Sequence, residues 1–197
     1  MYKRIFDFLF SSLLLVLFSW LFVTVAVIIK FSEPNEAVLF RQKRVGRYGK
    51  FFTLLKFRSM TSTKDKNKQF EAGSDLRVTP IGAVLRKTKL DELPQLLNVV
   101  KGEMSIIGPR PEVEYWTKFY PEKWAIVHKV RPGITDNASI IFRNEEELLK
   151  MSVDPERLYE EEVLPQKLDE YIRYVENMNL FLDLRIVLKT IYVVLFK

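Results

Sequence analysis

The pattern of apolar and polar positions divides the chain unequally. In "MYKRIFDFLFSSLLLVLFSWLFVTVAVIIK" the positions from Phe8 to Ile29 are almost wholly apolar, and basic residues stand at both ends. Roughly 20 apolar residues cross a bilayer, so residues 1–30 are expected to form a membrane-inserted helix. The run is too long for a cleaved signal peptide, and no small-x-small cleavage site follows it. Lys3 and Arg4 precede the run; Lys30, Arg41, Lys43 and Arg44 follow it. Positive charge on both flanks does not orient the helix. A simple span and a helix that enters, bends and returns both stay open, and the residues alone favour the span.

Beyond a turn at Glu33–Asn35 the period changes. "AVLFRQKRV" and "KFFTLLKFRSM" flank "GRYG" and predict a β-hairpin. Lys56 and Arg58 then share a strand face, which is either solvated or suited to gripping a phosphate. "TSTKDKNKQFEAGSD" is expected to be a mobile loop, and "RVTPIGAVLRKT" a short helix. "DELPQLLNVV" puts Leu93, Leu96, Leu97 and Val100 on one helical face, with Gly102 as the C-terminal cap. "EVEYWTKFYPEKWAIVHKV" predicts helix in two pieces split at Pro121, and "RPGIT" a turn. "NEEELLKM" and "LPQKLDEYIRYVENM" predict helices. "LDLRIVLKTIYVVLFK", carrying Arg185 and Lys189, predicts a last apolar helix that packs on the core or lies on a membrane. No internal repeat is present. The expected fold class is α+β: a membrane-inserted helix over 1–30, then a compact, mostly helical domain over 31–197. That domain carries a small β-hairpin and amphipathic membrane-surface helices.

Composition narrows the chemistry. The 197 residues carry a net charge of +6, which favours anionic partners. There is no cysteine, and His128 is the single histidine. Thiol nucleophiles, thiolate zinc sites and histidine-rich metal sites are therefore excluded within one chain. Catalysis must rest on carboxylates, Lys, Arg, hydroxyls or a hard, oxygen-bound cation such as Mg2+. His128 is read as structural or surface. "GRYGK" is too short for a P-loop. No nucleic-acid motif is present, and the apolar N-terminus argues against such a partner.

"KLDELPQLLNVVKGEMSIIGPRP" concentrates the candidate chemistry. Asp91 and Glu92 have a structural explanation, since acids in a helix's first turn cap free N–H groups and meet the positive dipole end. Thr88 and Asp91 resemble a capping box, and Pro94 suits an early helical position. Taken alone, the pair favours that explanation; its surroundings weigh against it. Arg86 and Lys87 lie upstream, Lys101 downstream, and Arg110 stands between Pro109 and Pro111, which restrict its backbone. A fixed arginine suits bidentate phosphate binding. An ionised Asp beside arginines can attack phosphorus, provided Mg2+ and arginines neutralise the site.

The stretches "FRQKRVGRYGKFFTLLKFRSM", "LRKTKLDELPQLLNVVKGEMSIIGPRPE" and "VRPGIT" resemble the bacterial sugar transferases known as monotopic phosphoglycosyl transferases. The likeness runs from "KRIFDF" to "LDLRIVLKT", and in size the chain resembles the minimal catalytic form. The resemblance implies transfer of a phosphosugar from a UDP-sugar to a polyprenol phosphate such as undecaprenyl phosphate. UMP is released, and the product is the first lipid-linked intermediate of a surface glycan. It implies Asp91 as the nucleophile that forms a covalent phosphosugar intermediate, and Glu92 as its partner in Mg2+ binding or proton handling. It implies phosphate or substrate contacts for Lys56, Arg58, Arg86, Arg110, Arg131 and Arg143. It implies membrane lipid as a partner and a location at the inner, cytoplasmic membrane with the catalytic domain on the cytosolic face. It also favours the re-entrant form of residues 1–30. Two stretches depart from the family pattern. Trp20 follows Ser19 where many members have Ser-Pro, so a bend would rest on Ser19 back-bonding and packing. After "RPGIT", "DNASIIFRN" stands where many members have Gly-Trp-Ala-Gln.

Two rival readings remain: a membrane-anchored phosphohydrolase with an aspartate nucleophile and water as acceptor, and a non-catalytic membrane adaptor. The sequence leaves the sugar and the oligomeric state open.

Overall fold

The computed structural model describes residues 2–61 and 77–196; residues 62–75 of the expected loop lie outside them. Two helices, α1 (Tyr2–Leu17) and α2 (Ser19–Ser32), meet at Phe18 with a bend of 62°. Among the described residues no single helix is long and apolar enough to cross a membrane, but this bent pair together has the length and composition. The bend does not come from Ser19. The hydroxyl that back-bonds in α2 is that of Thr24, which donates to the Trp20 carbonyl at 2.9 Å. The backbone ladder reaches the break with the Phe18 N–H on the Leu14 carbonyl at 2.9 Å and resumes with the Phe22 N–H on the Phe18 carbonyl at 3.0 Å, while Phe18 itself leaves helical geometry (φ −97°, ψ 11°). Docking of each arm on a different part of the domain holds the angle. On α1, Arg4 donates to the carbonyls of Val99 and Val100, and Asp7 accepts from Ser105 Oγ and the Ile106 N–H. On α2, Val25 and Ile29 pack with Phe57 and Leu85. The middle of the pair, including Leu13, Val16, Leu17, Trp20 and Val23, is exposed.

The hairpin forms as its alternation predicts. Strands β1 (Leu39–Val45) and β2 (Phe51–Phe57) pair antiparallel, from Leu39 opposite Phe57 to Val45 opposite Phe51. Tyr48 and Gly49 take positive φ in the turn between them. Helix α3 (Pro80–Lys87) starts at Thr79, whose hydroxyl oxygen accepts from the Gly82 N–H at 2.9 Å. Helix α4 (Gln95–Lys101) ends at Gly102, which is left-handed as a C-terminal glycine should be.

"RPGIT" is more than the expected turn. Its last three residues form β4 (Gly133–Thr135), parallel to the unpredicted strand β3 (Ser105–Ile107). The physical reason is a close backbone approach just beyond the pair. Gly133 N–H donates to the Pro109 carbonyl at 2.9 Å, and a Cβ on Gly133 would stand 2.1 Å from Gly108 N. Only glycines allow this contact.

Helices α5 (Glu114–Thr117) and α6 (Pro121–Val127) split at Pro121 as expected. Short helices α7 (Asn137–Ile141), α8 (Glu145–Lys150) and α9 (Pro155–Leu158) follow. A π-helical turn, Tyr159–Val163, leads into α10 (Leu164–Asn177), and α11 (Leu180–Phe196) closes the described chain. One core gathers Trp116, Trp124, Tyr159, Leu164, Leu168 and Tyr171. A second gathers Phe52, Leu54, Val99, Met104, Ile107, Tyr174 and Ile186. Helix α11 buries Ile186 and Asp183 but exposes Leu180, Phe181, Leu184, Leu188 and Ile191. Its polar anchor to α1 is the Lys3–Asp183 pair at 2.6 Å.

Candidate active site

The chain between α3 and α4 does not make the expected capping box. Lys89 is left-handed, which stops the helix. Leu90–Glu92 form a single 3-10 turn, and α4 begins only after Pro94. The Thr88 hydroxyl donates back to the Val84 carbonyl at 2.8 Å, finishing α3 instead of opening α4. Asp91 and Glu92 therefore make no capping hydrogen bond, and the capping part of the structural explanation for the pair fails. The apolar face also shifts, because the tighter turn ahead of α4 changes its phase. Gln95, Leu96, Asn98 and Val99 are buried, whereas Leu97 is exposed. Asn98 locks α4 to β2, accepting from the Leu55 N–H at 3.1 Å and donating to the Thr53 carbonyl at 2.7 Å.

This frame sets two adjacent carboxylates in opposite circumstances. Glu92 Oε1 accepts from Lys56 Nζ at 2.8 Å and from Arg110 Nη2 at 2.6 Å. Asp91 is also buried, yet its Oδ1 is shielded from solvent with no hydrogen-bond partner. Burial pushes the Asp91 carboxyl above its ordinary value, with Lys56 pulling the other way. Burial alone would raise Glu92 too, but Arg110 and Lys56 outweigh it and hold Glu92 well below the carboxylate range. Burial lowers the Lys56 ammonium despite Glu92 beside it. Glu92 is thus a fixed ion that places two cations next to an uncommitted acid.

Of the predicted site residues, the structure brings together Lys56, Asp91, Glu92 and Arg110. Arg58 falls one residue past β2 and does not follow Lys56. It donates to the Ala37 carbonyl at 2.6 Å and pairs with Glu36 at 3.4 Å. Arg86 pairs with Glu146 at an open pocket lined also by Val78, Thr79, Pro80 and Ala83. Arg131 donates through Nε to the Gly102 carbonyl at 2.8 Å, at the far end of α4. Arg143 is exposed in the turn before α8. His128 stacks on Trp124, ring centroids 5.1 Å apart, in keeping with a structural role.

Several residues that shape the site carried no sequence signal of their own. Arg44 donates to the Pro111 carbonyl at 3.0 Å, to Glu112 Oε2 at 3.2 Å and to Gln42 Oε1 at 2.7 Å. Glu112 Oε1 accepts from the Tyr159 hydroxyl at 2.8 Å, and Lys167 Nζ reaches both that hydroxyl and Glu145. The backbone that carries Arg110 is therefore clamped just downstream by a buried ionic network. The period-two placement of Gln42 and Arg44 is the one clue that could have pointed to it.

Among the described residues no group of three or more acids or histidines could hold a metal ion. The donor set fits a different arrangement. Mg2+ keeps several waters and takes one or two carboxylates together with substrate phosphates. The orphaned Asp91 Oδ1, with Glu92 adjacent, suits an ion that arrives with a diphosphate.

The sequence profile of the family described as "Bacterial sugar transferase" matches residues 1–197. The chain belongs to that family. It is 40% identical over 195 residues to "Uncharacterized sugar transferase EpsL" of Bacillus subtilis, covering 98% of this chain and 87% of that one. It is 38% identical over 208 residues to "Exopolysaccharide production protein ExoY" of Rhizobium meliloti, covering 97% and 84%. A third relative is "UDP-N-acetylgalactosamine-undecaprenyl-phosphate N-acetylgalactosaminephosphotransferase" of Aeromonas hydrophila, 37% identical over 98% of this chain and 43% of that one. The chain thus spans less than half of the Aeromonas relative and most of the other two. In this bacterial sugar transferase, three separated motifs meet at one carboxylate: "LDEL" supplies Glu92, "KFRSM" Lys56 and "GPRP" Arg110.

Proposed function

We propose that this chain transfers a phosphosugar from a UDP-sugar to undecaprenyl phosphate at the cytosolic face of the inner membrane. An Asp91 carboxylate oxygen attacks the sugar-bearing phosphorus. The bond from that phosphorus to the bridging oxygen breaks, UMP leaves with that oxygen, and an acyl-phosphate links Asp91 to the phosphosugar. A phosphate oxygen of the polyprenol then attacks the same phosphorus, freeing the Asp91 carboxylate and giving a polyprenol-diphosphate sugar. The observation that carries this reading is a buried Asp91 with an unpartnered Oδ1, beside a Glu92 already neutralised by Lys56 and Arg110. A free carboxylate among fixed cations is equipped for nucleophilic attack on a phosphate ester. Lys56 and Arg110 offset charge that builds on the phosphoryl oxygens, and burial keeps competing water from Asp91. Mg2+, when bound with the diphosphate, supplies further charge neutralisation; Asp91 and Glu92 would hold it. The names of the relatives, which include undecaprenyl-phosphate transferases using UDP-glucose and UDP-N-acetylgalactosamine, support the donor and acceptor classes. The exposed middle of the bent α1–α2 pair supports insertion from one side.

The test is covalent trapping. The purified chain is mixed with a panel of UDP-sugars and no acceptor, then digested and analysed by mass spectrometry. One donor should leave a phosphosugar on the Asp91 peptide with matching UMP release, and undecaprenyl phosphate should clear it. Free sugar phosphate without acceptor would make the chain a hydrolase. No adduct and no UMP with any donor would sink the enzyme reading.

A further inference from the structure

We infer that Arg4, Arg47 and Arg131 form a second anion site, at the C-terminal end of α4, that takes the phosphate of an anionic membrane-lipid headgroup. Three elements far apart in sequence deliver these guanidinium groups. Arg4, in the first turn of α1, donates through Nη1 to the Val99 carbonyl at 2.6 Å and through Nη2 to the Val100 carbonyl at 2.8 Å. The same Nη2 lies 3.3 Å from where a Cβ on Gly102 would stand. Arg131 Nε meets the Gly102 carbonyl at 2.8 Å, so both side chains converge on one glycine. Arg47, in the hairpin turn, donates through Nε to the Lys129 carbonyl at 2.9 Å, two residues before Arg131.

The simplest account is a helix cap, since cations suit a helix C-terminus. It explains the contacts of Arg4 and the Nε contact of Arg131, but not the placement of Arg47 or the uncommitted Nη groups. Among the described residues none of the three arginines has an acidic partner in an ion pair. Asp7 is committed to Ser105 and Ile106. Arg47 and Arg131 each spend only Nε on the protein, which leaves free the two Nη groups that grip a phosphate. Partial burial and the neighbouring Arg47 and Arg4 depress the Arg131 guanidinium, with Asp7 and Tyr48 pulling the other way, and an anion between the arginines would relieve that repulsion.

The surroundings point to a lipid as the source of that phosphate. The Arg47 guanidinium lies 4.4 Å over the Tyr48 ring, and Lys43 Nζ lies 3.6 Å over Phe51. Both rings are exposed, as are Tyr2 and Ile5 beside Arg4 in sequence. Aromatic rings and arginines side by side are the chemistry of a membrane interface. Through the Lys3–Asp183 pair this end of α1 is also tied to α11, which exposes Leu180 and Phe181. The site stands apart from Asp91, with α4 between them.

This inference rests on the membrane-surface part of the proposed function, and its test uses no sugar donor, so failure of the transfer chemistry leaves it standing. The full chain is placed in nanodiscs of phosphatidylcholine mixed with phosphatidylglycerol, and retained lipid is measured by native mass spectrometry. The intact chain should retain phosphatidylglycerol several-fold over its share of the mixture. The double variant Arg47→Gln, Arg131→Gln should lose that preference. Inorganic phosphate or UDP, added at constant ionic strength, should not displace the lipid. Equal retention of both lipids by the intact chain would overturn the site, whatever the variant does. An unchanged preference in a folded variant would overturn the residue assignment. Displacement by phosphate or UDP would overturn the lipid source in favour of a soluble phosphate.

Discussion

Arg110 grips Glu92 with both ends of its guanidinium, Nη2 to Oε1 at 2.6 Å and Nη1 to Oε2 at 3.4 Å. A lysine cannot reproduce that fork, because an ammonium is a single point of charge. The Arg110→Lys variant should therefore lose at least about 1.4 kcal/mol of transition-state stabilisation, a tenfold fall in kcat/KM. Near-normal kcat/KM would make Arg110 a structural residue.

Asp91 supplies the opposite case, an acid that the fold holds at a cost. Its carboxyl is raised by burial above the ordinary 3.8. A raised carboxyl favours folding while protonated, and that contribution fades as pH climbs from the unfolded value through the folded one. Asparagine does not titrate. Turnover of Asp91→Asn should vanish, while its stability relative to the parent should improve as pH rises through that window and then level off. Thermal unfolding of both proteins in detergent, from about pH 4 to pH 8, measures the difference. A stability gap independent of pH, or substantial turnover by the purified variant, would contradict the assignment of Asp91.

How much of this was legible beforehand follows the range of the interactions. The β1–β2 hairpin showed because alternation and a glycine-containing turn are local, and the α5–α6 break showed because Pro121 sits inside an amphipathic pattern. Arg110 drew notice through its flanking prolines. The β3–β4 pair did not show, since strands of three residues carry no period and their pairing depends on Gly108 meeting Gly133 across the fold. The capping box at Thr88 and Asp91 failed because Lys89 turns left-handed between them, which residue types alone do not announce. The clamp of Arg44, Glu112, Tyr159 and Lys167 joins four stretches of chain, so each residue reads as an ordinary surface polar group until the fold brings them together.

Glu92→Gln should damage both folding and catalysis. The amide keeps the shape but leaves Lys56 and Arg110 as poorly compensated cations in a largely buried site. Removing one partner of such a cluster costs about 3 kcal/mol. Because Glu92 is held well below its ordinary 4.5, its stabilising charge is complete above that value and is lost only as pH falls through the lower, folded one. The gap between parent and variant should thus be full at neutral pH and close only in strong acid. Adding Lys56→Met should recover part of the lost stability, since it removes one stranded cation. A double variant less stable than Glu92→Gln alone would show that Lys56 contributes through something other than this ion pair.

The last prediction concerns the bent pair. Lys3 and Arg4 are bound to Asp183 and to the end of α4, and Val25 and Ile29 pack on Phe57 and Leu85. Both ends of the apolar run therefore attach to one folded body, and the exposed side chains of Leu13, Val16, Leu17, Trp20 and Val23 lie between them. A helix crossing the bilayer would have to tear Lys3 and Arg4 from these partners and carry them to the far side, against the usual preference of cations. Residue 2 should accordingly face the cytosol together with the Asp91 site. Tyr2 is exposed and the chain has no cysteine, so Tyr2→Cys reports position without a background signal. A membrane-impermeant thiol reagent should leave this variant unlabelled in spheroplasts and label it once they are opened. Labelling in intact spheroplasts would put the N-terminus outside and defeat the re-entrant arrangement, while the covalent-trapping result would still decide the chemistry.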